Sequence, residues 1–180
     1  MEVSPPPRPA NPDELDEDTL AFVRRVFQYA RSGDAGELST LLAQGLPPNL
    51  RNERGDSLLM LACYHGHLDA ARVLLDAGAD PEILNDAGQT PLAGGAFKGD
   101  AAVVSLLLER GAQVDAAGPN GKTALMIAAM FNRVEIARLL LEHGADPLAA
   151  DAAGMSIREA AAKMGAVDAV ALLTATLDAH

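Results

Sequence analysis

The chain has 180 residues, 49% of them hydrophobic but only 3% aromatic, with no Trp and a formal net charge of −11. A buried seam must therefore be built from Leu, Ala, Val and Ile, and since no apolar run approaches about 18 residues, a membrane-spanning helix is not expected. The acidity argues against nucleic acid or an anionic membrane as partner and would draw in a basic protein, although the same charge also serves plain solubility.

In chain order, residues 1–12 carry five prolines, Pro5, Pro6, Pro7, Pro9 and Pro12. Proline lacks a donor and fixes φ, so this stretch is expected to be an extended or disordered tail. Pro6-x-x-Pro9 with Arg8 has the form of a groove ligand, but a plain linker is the better reading. The start, Met1-Glu2-Val3-Ser4-Pro5, lacks a basic segment followed by an apolar one, so no secretory signal is expected and the cytoplasm is the expected location. One cysteine, Cys63, forbids an internal disulfide. Only three of the fourteen basic residues are Lys, a bias of GC-rich, bacterial coding.

Asp13 to Arg31 reads as a helix with acidic first turns, where the helix dipole favours carboxylates. Leu15, Leu20, Phe22, Val23, Val26 and Phe27 give it apolar positions at roughly helical spacing. Residues 1–18 hold six carboxylates against Arg8, a local net of −5 that leaves −6 for the rest.

From Gly55 the sequence repeats. Gly55-Asp56-Ser57, Gly88-Gln89-Thr90 and Gly121-Lys122-Thr123 open three units at a step of 33 residues without insertion or deletion. A fixed step of this size means a stacked array rather than one globular core. Ser57, Thr90 and Thr123 stand where a hydroxyl caps a first helix, and Pro91 suits its first turn. Leu59, Leu92 and Leu125, with Ala62 and Ala128, are expected to face inward. The second helices should bury Val73-Leu74-Leu75, Leu106-Leu107-Leu108 and Leu139-Leu140-Leu141. Gly78, Gly111 and Gly144 end them, because glycine tolerates the left-handed conformation there. Subtracting one step places a degenerate first unit over residues 22–54, with Leu38, Leu41 and Leu42 in its second helix and Pro47-Pro48-Asn49 in its loop. The last unit begins at Gly154; Arg158 replaces the inward Leu, Leu172, Leu173 and Leu177 remain apolar, and no glycine loop follows. Both ends read as caps. The expected division is 1–12 for the tail, then units 13–54, 55–87, 88–120, 121–153 and 154–180.

Gly88-x-Thr90-Pro91-Leu92, the Leu106-Leu107-Leu108 run, and Gly78-Ala79-Asp80 with its echo Gly144-Ala145-Asp146 resemble the ankyrin repeat, over nearly the whole chain after residue 20. The resemblance implies an all-α solenoid of about five stacked helix-turn-helix units with short β-turn loops. It also implies protein binding, usually without enzymatic activity. The family commonly has His after the Leu of Thr-Pro-Leu; here Met60, Ala93 and Met126 stand there, so apolar packing must replace the imidazole bonds between units. Gly94 and Gly95 lie inside a first helix where the sister units have Leu61-Ala62 and Ile127-Ala128. At roughly 1 kcal/mol per helical glycine, residues 90–99 are expected to be the softest part of the array.

Several stretches imitate catalytic motifs. Gly121-Lys122-Thr123 has the look of a phosphate-binding loop, but Ala116 stands where the loop's first Gly is needed. Cys63, His65 and His67 are metal-capable types, yet Cys63 falls on a small inward position, His67 follows the helix-ending Gly66, and His65 lies on a variable edge. No Ser–His–acid grouping is visible. No cofactor, metal or catalytic residue is therefore expected.

The binding surface is read from positions that vary while the frame repeats. These are the pairs closing the first helices, Tyr64-His65, Phe97-Lys98 and Met130-Phe131, before Gly66, Gly99 and Asn132. By the resemblance they line a concave groove with the turn residues Glu53, Arg54, Asp56, Asp86, Gln89, Asn120 and Lys122. Three of the six aromatics, Tyr64, Phe97 and Phe131, fall on these pairs, which favours recognition anchors over packing. The expected function is a protein-binding module acting as adaptor, inhibitor or regulator, monomeric on its own; the alternatives are a structural assembly subunit and, further off, an enzyme.

Overall fold

The computed structural model describes residues 16–179; the Pro-rich tail and the first residues of the expected N-terminal helix lie outside them. Ten helices alternate along the described chain: α1 (Glu17–Ser32), α2 (Ala35–Ala43), α3 (Leu58–His65), α4 (Leu68–Asp76), α5 (Pro91–Lys98), α6 (Ala101–Glu109), α7 (Ala124–Met130), α8 (Val134–Glu142), α9 (Ile157–Lys163) and α10 (Val167–Asp178). Odd-numbered helices stack on one another as one layer, even-numbered helices as a second. No helix among the described residues is long and apolar enough to cross a membrane.

Local chemistry sets these boundaries. Ser57, Thr90 and Thr123 accept the backbone N–H groups of Met60, Ala93 and Met126 at 3.0, 3.1 and 3.2 Å. These hydroxyls are buried, so each satisfies a donor that water could not reach. Ser156 and Glu159 close a reciprocal capping box on α9. Among the described residues helix α1 starts at Glu17, where Asp16 in extended conformation caps Thr19 N–H at 2.6 Å; the expected start at Asp13 lies outside them.

One apolar seam runs through all ten helices. Val26, Leu59, Leu92 and Leu125 occupy one register of the odd helices and are all but fully buried. In the even helices Leu74, Leu107 and Leu140 are the fully buried members of the Leu runs, while Val73, Leu75, Leu139 and Leu141 are only half-buried. Helix α1 packs through Val26, Phe27 and Ala30; Leu20 and Phe22 stay 37% exposed, off the seam.

Adjacent units are also tied by polar bonds one step apart. Asp80 N–H donates to Asn49 Oδ1 (2.8 Å), Gln113 N–H to Glu82 Oε1 (2.8 Å) and Asp146 N–H to Asp115 Oδ1 (3.1 Å). Among the described residues no buried side-chain polar atom lacks a partner. Met60, Ala93 and Met126 are buried within the first helices, where an imidazole would have had to find a partner.

Candidate functional site

Each first helix of the three full units is followed within two residues by one with positive φ: Gly66 at 77°, Gly99 at 83° and Asn132 at 54°. A left-handed residue turns the chain sharply, so the side chains just before it lie at the edge of the seam, with Met130 still packed against it. Tyr64, His65, Phe97, Lys98 and Met130 occupy these helix ends; Phe131 is one residue beyond α7, as its C-cap.

The variable pairs come together as an aromatic ladder across three units. Tyr64 and Phe97 stack at 5.2 Å with 10° between planes, and Phe97 meets Phe131 edge-on at 4.7 Å and 85°. His65 packs edge-on against Tyr64 at 5.4 Å. Each such pair contributes about 0.5–1.5 kcal/mol beyond its area, which favours this arrangement of the rings. Tyr64 and Phe131 still expose 40% and 39% of their surface, while Phe97 between them is half-buried.

Two hollows open between this ladder and the turns. One, of about 640 Å³, is walled by Met60, Leu61, Tyr64 and His65 on the helix side and by Arg54 and Gln89 on the turn side. The second, of about 300 Å³, lies between Ala93, Phe97, Ile127, Met130 and Phe131 and the turn residue Lys122. Gln89 and Ala87 line both.

Not every turn residue is free. Asp56 accepts from Asn52 Nδ2 at 3.2 Å and from Asn85 Nδ2 at 2.9 Å, which ties two turns together. Gln89 Oε1 accepts from Asn85 Nδ2 at 3.2 Å. Asn120 donates to Ala87 O across units at 3.0 Å, and Asp86 faces Arg51 at 3.6 Å. By contrast the side chains of Arg54 and Lys122 make no hydrogen bond or ion pair with any described residue. The stem of Lys98 lies over Gly66.

Burial first, and then the electrostatic influence of His67, Lys98 and Arg31, holds the His65 imidazole below its usual pKa. Cys63 is fully buried, and that burial pushes its thiol up, away from the thiolate. His67 is fixed by a 2.8 Å bond to Arg31 O on the preceding unit. Among the described residues there is no cluster of three metal-capable side chains.

Arg31 and Leu61 also wall the larger hollow, though the variable pairs did not include them. Arg31 stands one step before Tyr64 and two before Phe97. Carrying the step back into the degenerate first unit would have found it.

The family model described as ankyrin repeats (3 copies) matches residues 26–117 and 98–180. A Pseudomonas aeruginosa protein named as an ankyrin repeat protein is 58% identical over 67 residues. That match spans 37% of this chain and 37% of the length of the relative.

Proposed function

The chain belongs to the ankyrin repeat family, whose members are generally protein-interaction modules without enzymatic activity, and on that premise we propose that it binds a protein partner in the trough between the aromatic ladder and the turns. Adaptor, inhibitor and regulator are the roles such binding serves. The observation that carries this reading is the ladder itself: three rings from three units, ordered by one another, with Tyr64 and Phe131 open on the trough. Rigid aromatic anchors beside apolar hollows are what a binding surface needs, because little conformational entropy is lost when they engage. Arg54, His65, Lys98, Met130 and Lys122 form the variable rim, with Asp56 and Gln89 positioning the turns and offering their remaining acceptor capacity.

The test is affinity capture from lysate of the source cell by the parent protein and by a folded Tyr64→Ala/Phe97→Ala/Phe131→Ala variant, read by mass spectrometry. A protein enriched by the parent and lost by the variant is expected. A partner retained in full by the variant would place the function on another face.

A further inference from the structure

At the N-terminal end of the trough a third hollow, of about 610 Å³, is lined by Leu20, Arg24, Phe27, Arg31, Arg51 and Arg54, among others. It adjoins the hollow beside Tyr64: Arg31, Asn52, Glu53 and Arg54 line both. Four of the eleven arginines of a chain of net charge −11 thus meet at one end of one groove. Among the described residues Glu53 is the one carboxylate on the lining of this third hollow, and the adjoining hollow adds Asp56 and Asp86.

Arg51 has an internal task. It donates to Gly55 O and Leu84 O, both at 2.9 Å, and faces Asp86. Arg24, Arg31 and Arg54 have none, since their guanidinium groups make no hydrogen bond or ion pair with any described residue, and all three are exposed. Arg24 and Arg31 are seven residues apart, on one face of α1 with Leu20 and Phe27.

Resting on the groove reading above, we propose that the N-terminal end of the trough receives an acidic segment of the protein partner. Its carboxylates would pair with Arg24, Arg31 and Arg54, and an apolar residue would lie against Leu20 and Val23. Guanidinium groups bind carboxylates through parallel hydrogen bonds. Whole-chain charge points instead to a basic partner, but charge beyond about 8–10 Å is screened at physiological salt. A short acidic segment therefore meets the local arginines and is shielded from the distant carboxylates. A long polyanion such as duplex DNA would extend over the acidic surface as well and be repelled.

The test is an NMR titration of the ¹⁵N-labelled full chain with a short peptide of repeated Leu-Glu-Glu and its Leu-Lys-Lys twin. The acidic peptide should shift the amides of residues 20–31 and 51–56 and the basic twin should not. Arg24→Glu/Arg31→Glu/Arg54→Glu should weaken the acidic peptide by about tenfold or more, and the milder Arg24→Gln/Arg31→Gln/Arg54→Gln serves if the reversal unfolds the chain. No binding, equal binding of the two peptides, or a duplex oligonucleotide binding the same residues more tightly would overturn the proposal. A captured partner that needs Tyr64, Phe97 and Phe131 but survives arginine reversal would overturn it too, while leaving the groove reading intact.

Discussion

Replacing Gly94 by alanine should stabilise the array, and replacing Gly95 should not. Both glycines are buried inside α5, and each weakens the helix by about 0.8–1.0 kcal/mol relative to alanine. What differs is what a new methyl would meet. At Gly94 an added Cβ lies 3.1 Å from Met60 Sδ and 3.7 Å from Tyr64 Cα and Cβ. The thioether is flexible and can swing away at little cost, so most of the propensity gain survives, roughly 0.5–1 kcal/mol. At Gly95 the Cβ lies 3.3 Å from Val103 Cγ1 and 3.4 Å from Val104 Cγ2. Both valines are fully buried and stiff at χ1, so the gain is cancelled or reversed.

The assay is native-state hydrogen exchange. In the parent, amides of residues 93–98 should open at about 2 kcal/mol lower free energy than those of 126–131, or roughly 30-fold faster, since α7 has no glycine in its interior. Gly94→Ala should slow exchange in α5 about two- to fivefold. Gly94→Leu, the residue of a sister unit, must displace both Met60 and Tyr64, and should cost about 1–3 kcal/mol and break the Tyr64–Phe97 stack. Equal protection of α5 and α7, or a destabilised Gly94→Ala, would refute the reasoning.

Asn132 carries the left-handed turn that glycine makes elsewhere, and also donates to Asp168 and accepts Ala169 N–H, both at 3.0 Å. It thereby caps α10, which has no side-chain cap of its own. Asn132→Gly should lose up to about 1 kcal/mol and Asn132→Ala about 1–2 kcal/mol more, the order being read from urea unfolding; equal losses would show that only the cap matters. For His65, NMR titration of the imidazole should give a midpoint below about 6.5. Because its folded pKa is lowered, the unfolded state takes the proton more readily. Stability therefore falls as pH drops from the unfolded pKa towards the folded one. Arg31→Glu should raise the midpoint without restoring it fully, since burial is the larger cause; a midpoint that stays or falls would be evidence against the cationic field.

The frame was legible because its signals are backbone rules repeated at a fixed step. Hydroxyl caps at Ser57, Thr90 and Thr123 and left-handed glycines at 66, 78, 99, 111 and 144 leave the helices little choice of boundary. What the step did not reveal was compensation. In sequence Gly95 reads as a lost alanine, and Gly94 as a lost packing side chain. Opposite Gly95, however, stand Val103 and Val104, where the unit before has Ala70 and Ala71 in the same register. Volume was moved from one helix to its neighbour, and Met60 with Tyr64 closes the space beside Gly94. Similarly, Asp56 and Gln89 look like free turn residues in sequence, and only the fold shows their oxygens accepting from Asn85.

Charge divides the same way. The net of −11 is a property of the whole chain, and it spoke for a basic partner. Where a partner would dock, the local sign decides, because the Debye length is shorter than the array. Among the described residues Glu53, Asp56 and Asp86 line the hollows of the trough, whereas loop and helix carboxylates such as Asp69, Asp80, Glu109 and Glu142 do not. Arg31 repeats the position of Tyr64 and Phe97, so the row of anchors begins with a guanidinium and continues with rings. A partner segment lying along that row would present a carboxylate first and apolar side chains after it. Reversing Arg31 alone should therefore weaken the acidic end of such a segment and leave its apolar end in place.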